Sequence, residues 1–161
     1  MRRRGPNAGT RRGFAELLLD FFALLDRFPQ SLISLAARFF PAAVFWRSGQ
    51  TKVEGWHLKE SAIALFQDEY KLPFIDPKLG AEIAAVFEHL FPILLVIGLA
   101  SRFSAFALLF MTAVIQIFVY PDAWPEQGVW ATCFLVVMAR GAGVFSVDYF
   151  IKKIFRRVRP S

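Results

Sequence analysis

The sequence predicts an all-α fold: an integral membrane four-helix bundle with an N-terminal amphipathic interfacial helix and a short helix in the first extracytoplasmic loop. Three observations predict it. Over 161 residues the hydrophobic share is 56% and the mean hydropathy is +0.44, more apolar surface than a soluble domain of this size can easily hide. The charges collect at the two ends and in one central stretch, which leaves four apolar blocks between them. Prolines, glycines and charged residues punctuate the gaps between the blocks.

The elements follow in order. Residues 1–12 are basic and glycine-containing and read as a disordered tail. In "FAELLLDFFALLDRF" the residues Phe14, Leu17, Leu18, Phe21, Phe22, Leu25 and Phe28 recur at helical spacing, with Glu16, Asp20, Asp26 and Arg27 off the stripe. That pattern predicts an amphipathic helix over 13–28, lying in the inner membrane interface or packed on the bundle. Its acids interrupt the apolar run and no small-residue cleavage site follows, so it is expected to be retained rather than cleaved as a signal.

The bundle occupies 29–150, with spans at about 30–49, 79–100, 103–120 and 129–147. Between the first two, "QTKVEGWHLKESAIALFQDEYKLPFIDPK" reads as an extracytoplasmic loop with one short helix around Ser61 to Phe66 and stops at Pro73 and Pro77. The turn at Ser101 and Arg102 is so short that the second and third spans form an antiparallel hairpin. "PDAWPEQG" separates the last two spans, and 151–161 is a basic cytoplasmic tail.

Orientation comes from the lysines and arginines. With both termini inside, the cytoplasmic face receives Arg2, Arg3, Arg4, Arg11, Arg12, Arg102, Lys152, Lys153, Arg156, Arg157 and Arg159. The outer segments carry Arg47, Lys52, Lys59, Lys71 and Lys78, offset by acids. Trp46, Trp56, Tyr120, Trp124 and Trp130 fall at predicted outer ends, where an aromatic belt sits.

Several function classes drop out. The net charge of +6 resides mainly in tails beside apolar segments, which suits anionic lipid headgroups and not nucleic acid. Cys133 is the sole cysteine, so the chain makes no internal disulfide and no dithiol pair. No glycine-rich phosphate loop, HExxH or nucleophile elbow occurs. No metal site is assigned, because His57 falls in the outer loop and Cys133, Met111 and Met138 lack ligand spacing.

The polar residues inside the spans carry the functional reading. An arginine or aspartate at mid-helix costs about 2.5–3.5 kcal/mol on insertion scales, so such groups face the bundle and find partners. Counting about 1.5 Å per residue from the inner ends puts Arg38, Arg140, His89 and Glu88 about 10–18 Å deep, where they are expected to meet in one intramembrane polar cluster. Pro92 frees the carbonyl of Glu88 and Pro41 that of Ala37, and an arginine is the expected donor to each.

Two readings stay open: an ion network that only fixes helix register, or a site whose positive excess suits a quinone carbonyl, an anionic headgroup or a small oxyanion. His89 is either a packing residue or a proton-transfer partner. Arg47 and Glu82, at similar outer depth, are expected to pair at the interface. Gln116 and Thr132 are expected to bond between helices.

These residues also form a pattern: Arg38 with Gly49 and Lys52; Glu88 ten residues before Gly98, with Leu99, Ser101 and Arg102; then Gly141, Gly143, Ser146 and Asp148. The pattern resembles the DoxX family and spans about Leu32 to Asp148, to which this chain adds His89, Pro92 and Arg140. The resemblance implies a four-helix bundle in the bacterial cytoplasmic membrane, associated with redox chemistry. Some members are named from thiosulfate to quinone oxidoreduction, and others are thought to assist thiol or oxidative-stress systems.

The expected function is therefore an inner-membrane accessory subunit of a quinone-linked, thiol-linked or stress-related system, without independent catalysis. The alternative is a structural anchor or scaffold for a partner protein. A small transporter is the third class, for which four spans without a clear repeat offer little. No cofactor is assigned beyond a quinone as candidate, and the expected partners are membrane lipid and either a protein partner or a second copy of the chain.

Overall fold

The computed structural model of the chain describes residues 13–73 and 75–158. The expected disordered tail 1–12, with its five arginines, lies outside the described residues, as do 159–161.

All helices but a two-stranded hairpin, the described chain begins with α1, Phe14–Asp26. Pro29 breaks the run, and α2, Gln30–Lys52, sets off from it at a bend of 56°. No residue of α1 is buried, so it does not pack into the core. Along α2 the buried positions are Ser34, Ala37, Arg38, Pro41, Ala42, Phe45, Gly49 and Lys52. They recur at three and four residues and form one face, while Phe39, Phe40 and Val44 point outward. The inward face is small and polar and the outward face is apolar, the reverse of a water-soluble helix.

A hairpin follows that the sequence reading missed: β1, Val53–Glu54, pairs antiparallel with β2, His57–Leu58, across Gly55 at φ +60°. Then comes α3, Glu60–Leu65, which widens into a π-helical turn, Phe66–Tyr70, whose closing bond runs from Lys71 N–H to Phe66 O. The short helix expected in this segment is thus present and runs on to Tyr70.

Helix α4, Pro77–Ile97, starts on a strong local signal. The Asp76 carboxylate accepts from the amides of Lys78 and Leu79, and Pro77 takes the first helical position, where no amide hydrogen is needed. Gly98 ends it in the left-handed region at φ +75°, with Leu99 N–H returning to Leu94 O. Helix α5, Ser101–Val114, continues as a π turn, Ile115–Val119, closed by Tyr120 N–H on Ile115 O.

Helix α6 differs from its expected span. It begins at Trp124, inside the segment read as a loop, and stops at Arg140, where Gly141 takes φ +82°. The expected fourth span of 129–147 is thereby corrected: residues 141–146 are irregular, and α7, Val147–Val158, begins where the span should end. The segment read as a basic tail is largely this helix.

Packing is pairwise: α2 lies against α4 and α6, and α5 against α4 and α6. Phe45, Phe91, Leu95, Leu108, Phe134 and Val137 fill the core, with Ala37, Ala42, Ala105 and Ala107 letting the backbones approach. Two helical segments are long and apolar enough to cross a membrane, Pro77–Ile97 and Ser101–Val119, and a third if the bent pair α1 and α2 counts as one. At 17 residues α6 stands at the lower limit for a span.

Candidate functional site

Lys52 occupies the last turn of α2 and Glu88 the middle of α4, and their side chains meet at 2.7 Å with only 4% of each exposed. Ser48, one turn before Lys52, completes a triangle: its hydroxyl donates to Glu88 Oε1 at 3.3 Å and accepts from Lys52 Nζ at 3.1 Å. A buried charge needs its lone pairs and protons engaged as well as an opposite charge, and Ser48 supplies the second bond to each partner. The expected arginine partner of Glu88 is therefore replaced by Lys52.

The helices approach closely here because Gly49 has no side chain. A Cβ on it would stand 2.8 Å from His89 Cε1 and 3.0 Å from Glu88 Cβ. His89 does not join the ion pair. Its Nδ1 lies 2.6 Å from the Ala85 carbonyl, its Nε2 is 2.9 Å from the Gln50 amide, and its ring meets Trp46 edge-on at 5.0 Å. With the proton on Nδ1 both polar contacts are made at once.

Arg38 lies elsewhere. Fully buried, it donates from Nη1 to Leu95 O and Val96 O, both at 3.2 Å, and from Nη2 to Phe145 O at 2.7 Å. The first two are last-turn carbonyls of α4; Leu95 O also accepts from Gly98 N–H at 3.2 Å, and Arg38 adds side-chain donors that close that end. The antiparallel register explains the error in the expected cluster: Arg38 stands level with Leu95, seven residues or about 10 Å along α4 from Glu88. Neither arginine donates to the carbonyl freed by Pro92.

Around this helix end several motif residues converge. Asp148 accepts at Oδ1 from Ala100 N–H and at Oδ2 from Ser101 N–H, each at 2.9 Å, and at Oδ2 from the Ser101 hydroxyl at 2.7 Å. It caps α5 from forty-odd residues downstream. Burial acting alone raises the Asp148 carboxyl, but the Ser101 and Ala100 donors outweigh it and hold the group below the usual carboxylate range. A Cβ on Gly98 would overlap Ser146 Cβ and Arg38 Nη1, so only glycine fits the turn. Ser146 donates to Gly143 O at 2.7 Å and accepts from Tyr149 N–H at 3.2 Å.

Arg140 also leaves the expected cluster. It is exposed at the end of α6 and lines a hollow with Arg102, Gly141, Gly143 and Lys152. Arg47 and Glu82 are both exposed and make no ion pair among the described residues. The same register places Arg47 beside Pro92 and Ile93, and Glu82 lies about 15 Å further along α4. Gln116 and Thr132 bond to Pro121 O and Gly128 O within their own segments, not between helices.

Beside the ion pair lies a cavity of about 320 Å³ that no residue pattern announces. Phe45, Phe66, Phe87, Met111 and Trp130 wall it, Ser48 and Glu88 reach one side, and both π turns border it. Gln127 also lines it, 4% exposed, and its Oε1 has no hydrogen-bond partner. Such a buried, unpaired amide is expensive and calls for a partner.

Tyr70 and Tyr120 stand at the outer edge, rings 5.8 Å apart, and the Tyr120 hydroxyl donates to the Glu69 carboxylate. Burial pushes the Tyr70 phenol up. The sequence offered one usable signal for this region, Ser48 and Lys52 one helical turn apart. Gln127 was hidden because its segment read as a loop. Among the described residues no group of His, Cys, Asp and Glu is arranged to hold a metal.

The profile of the DoxX family matches residues 33–121, more than half of the chain. That range includes Arg38, Gly49, Lys52, Glu88, Gly98 and Arg102 and ends before Gly141, Gly143, Ser146 and Asp148. A protein of Haemophilus influenzae (strain ATCC 51907 / DSM 11121 / KW20 / Rd), carrying the name "Uncharacterized protein", is 30% identical over 131 residues, 75% of this chain and 84% of its own. No solved structure matches.

Proposed function

This chain belongs to the DoxX family, and on that premise we propose that it is a multi-pass inner-membrane protein, an accessory subunit of a redox system without catalysis of its own, that holds a quinone-class molecule beside Lys52 and Glu88. In this reading α2, α4, α5 and α6 all cross the bilayer, both termini are cytoplasmic, and α1 lies in the interface. The outward side chains support it: Phe39 and Phe40, Ile83, Val86 and Leu90, Phe106 and Phe110, Val129 and Leu135 are exposed and apolar.

The observation that carries the ligand is Gln127. An apolar chamber at the lower end of the ordinary range for ligand pockets, about 300–1,000 Å³, contains one buried amide with an unpaired oxygen. A carboxamide donates to a quinone carbonyl and accepts from a quinol hydroxyl, so one side chain serves both oxidation states. The aromatic walls suit a flat ring, and an isoprenoid tail leaves between the helices into lipid.

The test is extraction of isoprenoid quinone from the protein purified in mild detergent. Wild type is expected to carry it. Gln127→Leu, which keeps the volume and removes the amide, is expected to retain about 3–10-fold less, the value of one hydrogen bond. Absence of quinone from wild type, or equal retention by the variant, overturns the reading.

A scaffold reading has one observation in its favour. Arg38, Gly98, Ser146 and Asp148 close helix ends and stand outside the chamber beside Glu88. If Gln127→Leu leaves quinone-linked electron flow intact while a partner protein still co-purifies, the scaffold reading replaces the first.

A further inference from the structure

We propose a binding site for an anionic phospholipid in the hollow bounded by the start of α5, the end of α6 and α7. The hollow measures about 660 Å³. Three cations from three helices ring it: Arg102 in the first turn of α5, Arg140 in the last turn of α6 and Lys152 in α7. All three side chains are exposed. Arg102 makes one long bond, 3.4 Å, to Ala139 O, and Arg140 has no partner among the described residues.

The one carboxylate lining it among the described residues, Asp148, has both oxygens engaged by Ala100 and Ser101. Three positive charges against that single committed acid leave a net positive hollow, and cations of this kind between membrane helices bind phosphate-bearing headgroups.

An apolar track leads away from the same place. Phe103 lines the hollow, and Phe106 and Phe110 continue it up one face of α5, all three rings exposed. The track runs seven residues, about 10 Å into the hydrocarbon. Phosphate among the cations with an acyl chain on the phenylalanines is the shape of a glycerophospholipid. A zwitterionic headgroup would bring its own ammonium against the three cations, so the site favours a net negative one. The inference rests on the membrane-spanning reading above and does not require the quinone, although Phe110 also lines the chamber beside Glu88.

The test uses the full chain in neutral detergent, titrated with phosphatidylglycerol, phosphatidylcholine or inorganic phosphate, with bound lipid counted by native mass spectrometry. Phosphatidylglycerol is expected to be retained over phosphatidylcholine. At about fivefold per cation, Arg140→Gln with Lys152→Gln is expected to lower that retention about 25-fold. The pair Lys153→Gln with Arg156→Gln, outside the hollow, is expected to leave it unchanged. Should the first pair fail to accumulate, Arg140→Gln alone, at an exposed side chain, gives the fivefold readout.

Equal retention of the two lipids, or equal loss in both double variants, overturns the site. Displacement of phosphatidylglycerol by millimolar inorganic phosphate overturns the lipid assignment in favour of a free anion. Alkaline carbonate washing of membranes separates the premises: a chain released by it fails the spanning reading, and a chain that stays but shows no lipid preference fails only the site.

Discussion

Lys52 gives up water on entering the last turn of α2, and Glu88 with Ser48 is what replaces it. Removing one partner strands the other, at a cost of about 3–5 kcal/mol, whereas replacing both with apolar groups of similar size is often neutral. Lys52→Met is therefore expected to lower thermal stability in detergent sharply, and Lys52→Met with Glu88→Leu to recover most of it. A double variant no better than the single one would mean the pair is not the source of the loss.

Asp148 gives a pH signature. Its pKa is depressed in the fold, so its stabilisation is complete above the unfolded value of about 3.9 and is lost as pH falls through the lower folded value. The melting temperature of wild type relative to Asp148→Asn is expected to be constant from pH 7 to 5 and to shrink below about pH 4. At this scale the need of Glu88 for a counter-ion was legible. Its identity was not, because the apolar run ends at Gly49 and Lys52 read as loop.

Among the elements, the α2 and α4 contact is set by what is missing at Gly49. Alanine there places a methyl 2.8 Å from the His89 ring, and the helices must part or the imidazole must turn, at about 1–3 kcal/mol. Gly49→Ala is expected to be destabilising, and His89→Ala in the same chain to return part of the loss, the Glu88 Cβ contact remaining. Strict additivity in a double-mutant cycle would refute that coupling.

Helices α2, α4 and α5 were legible from apolar length and from the proline stop at Pro77, but the turn expected at Ser101 and Arg102 falls instead at Gly98, Leu99 and Ala100, and Ser101 and Arg102 begin α5. The limits of α6 were not: aromatic and apolar residues run on through Phe145, and only the left-handed Gly141 breaks the helix. The hairpin at Gly55 was hidden for another reason, since two-residue strands carry no periodicity.

For the whole molecule, the charge argument for orientation gains from two corrections. Lys52 is neutralised by Glu88 within the protein and Arg47 lies within α2, so the cations left to the expected outer surface are Lys59, Lys71 and Lys78. The opposite end has Arg102, Arg140, Lys152, Lys153 and Arg156, and Arg140 joins it because the structure sets it, exposed, at the end of α6 beside Arg102 and Lys152. Over these same residues the sequence count set four cations against five and the structure sets five against three, so the asymmetry that orients a bundle is steeper.

It predicts which faces a membrane-impermeant maleimide can reach. With Cys133 replaced by alanine, a cysteine at Trp56, 99% exposed in the hairpin turn, is expected to label in intact spheroplasts. A cysteine at Lys153, exposed on α7, is expected to label only after the membrane is opened. The reverse pattern would invert the bundle and put the basic hollow on the outer face. Labelling of both in intact spheroplasts would instead mean an even number of crossings between the two positions. The short α6, at 17 residues, is the helix whose failure to span would produce that result.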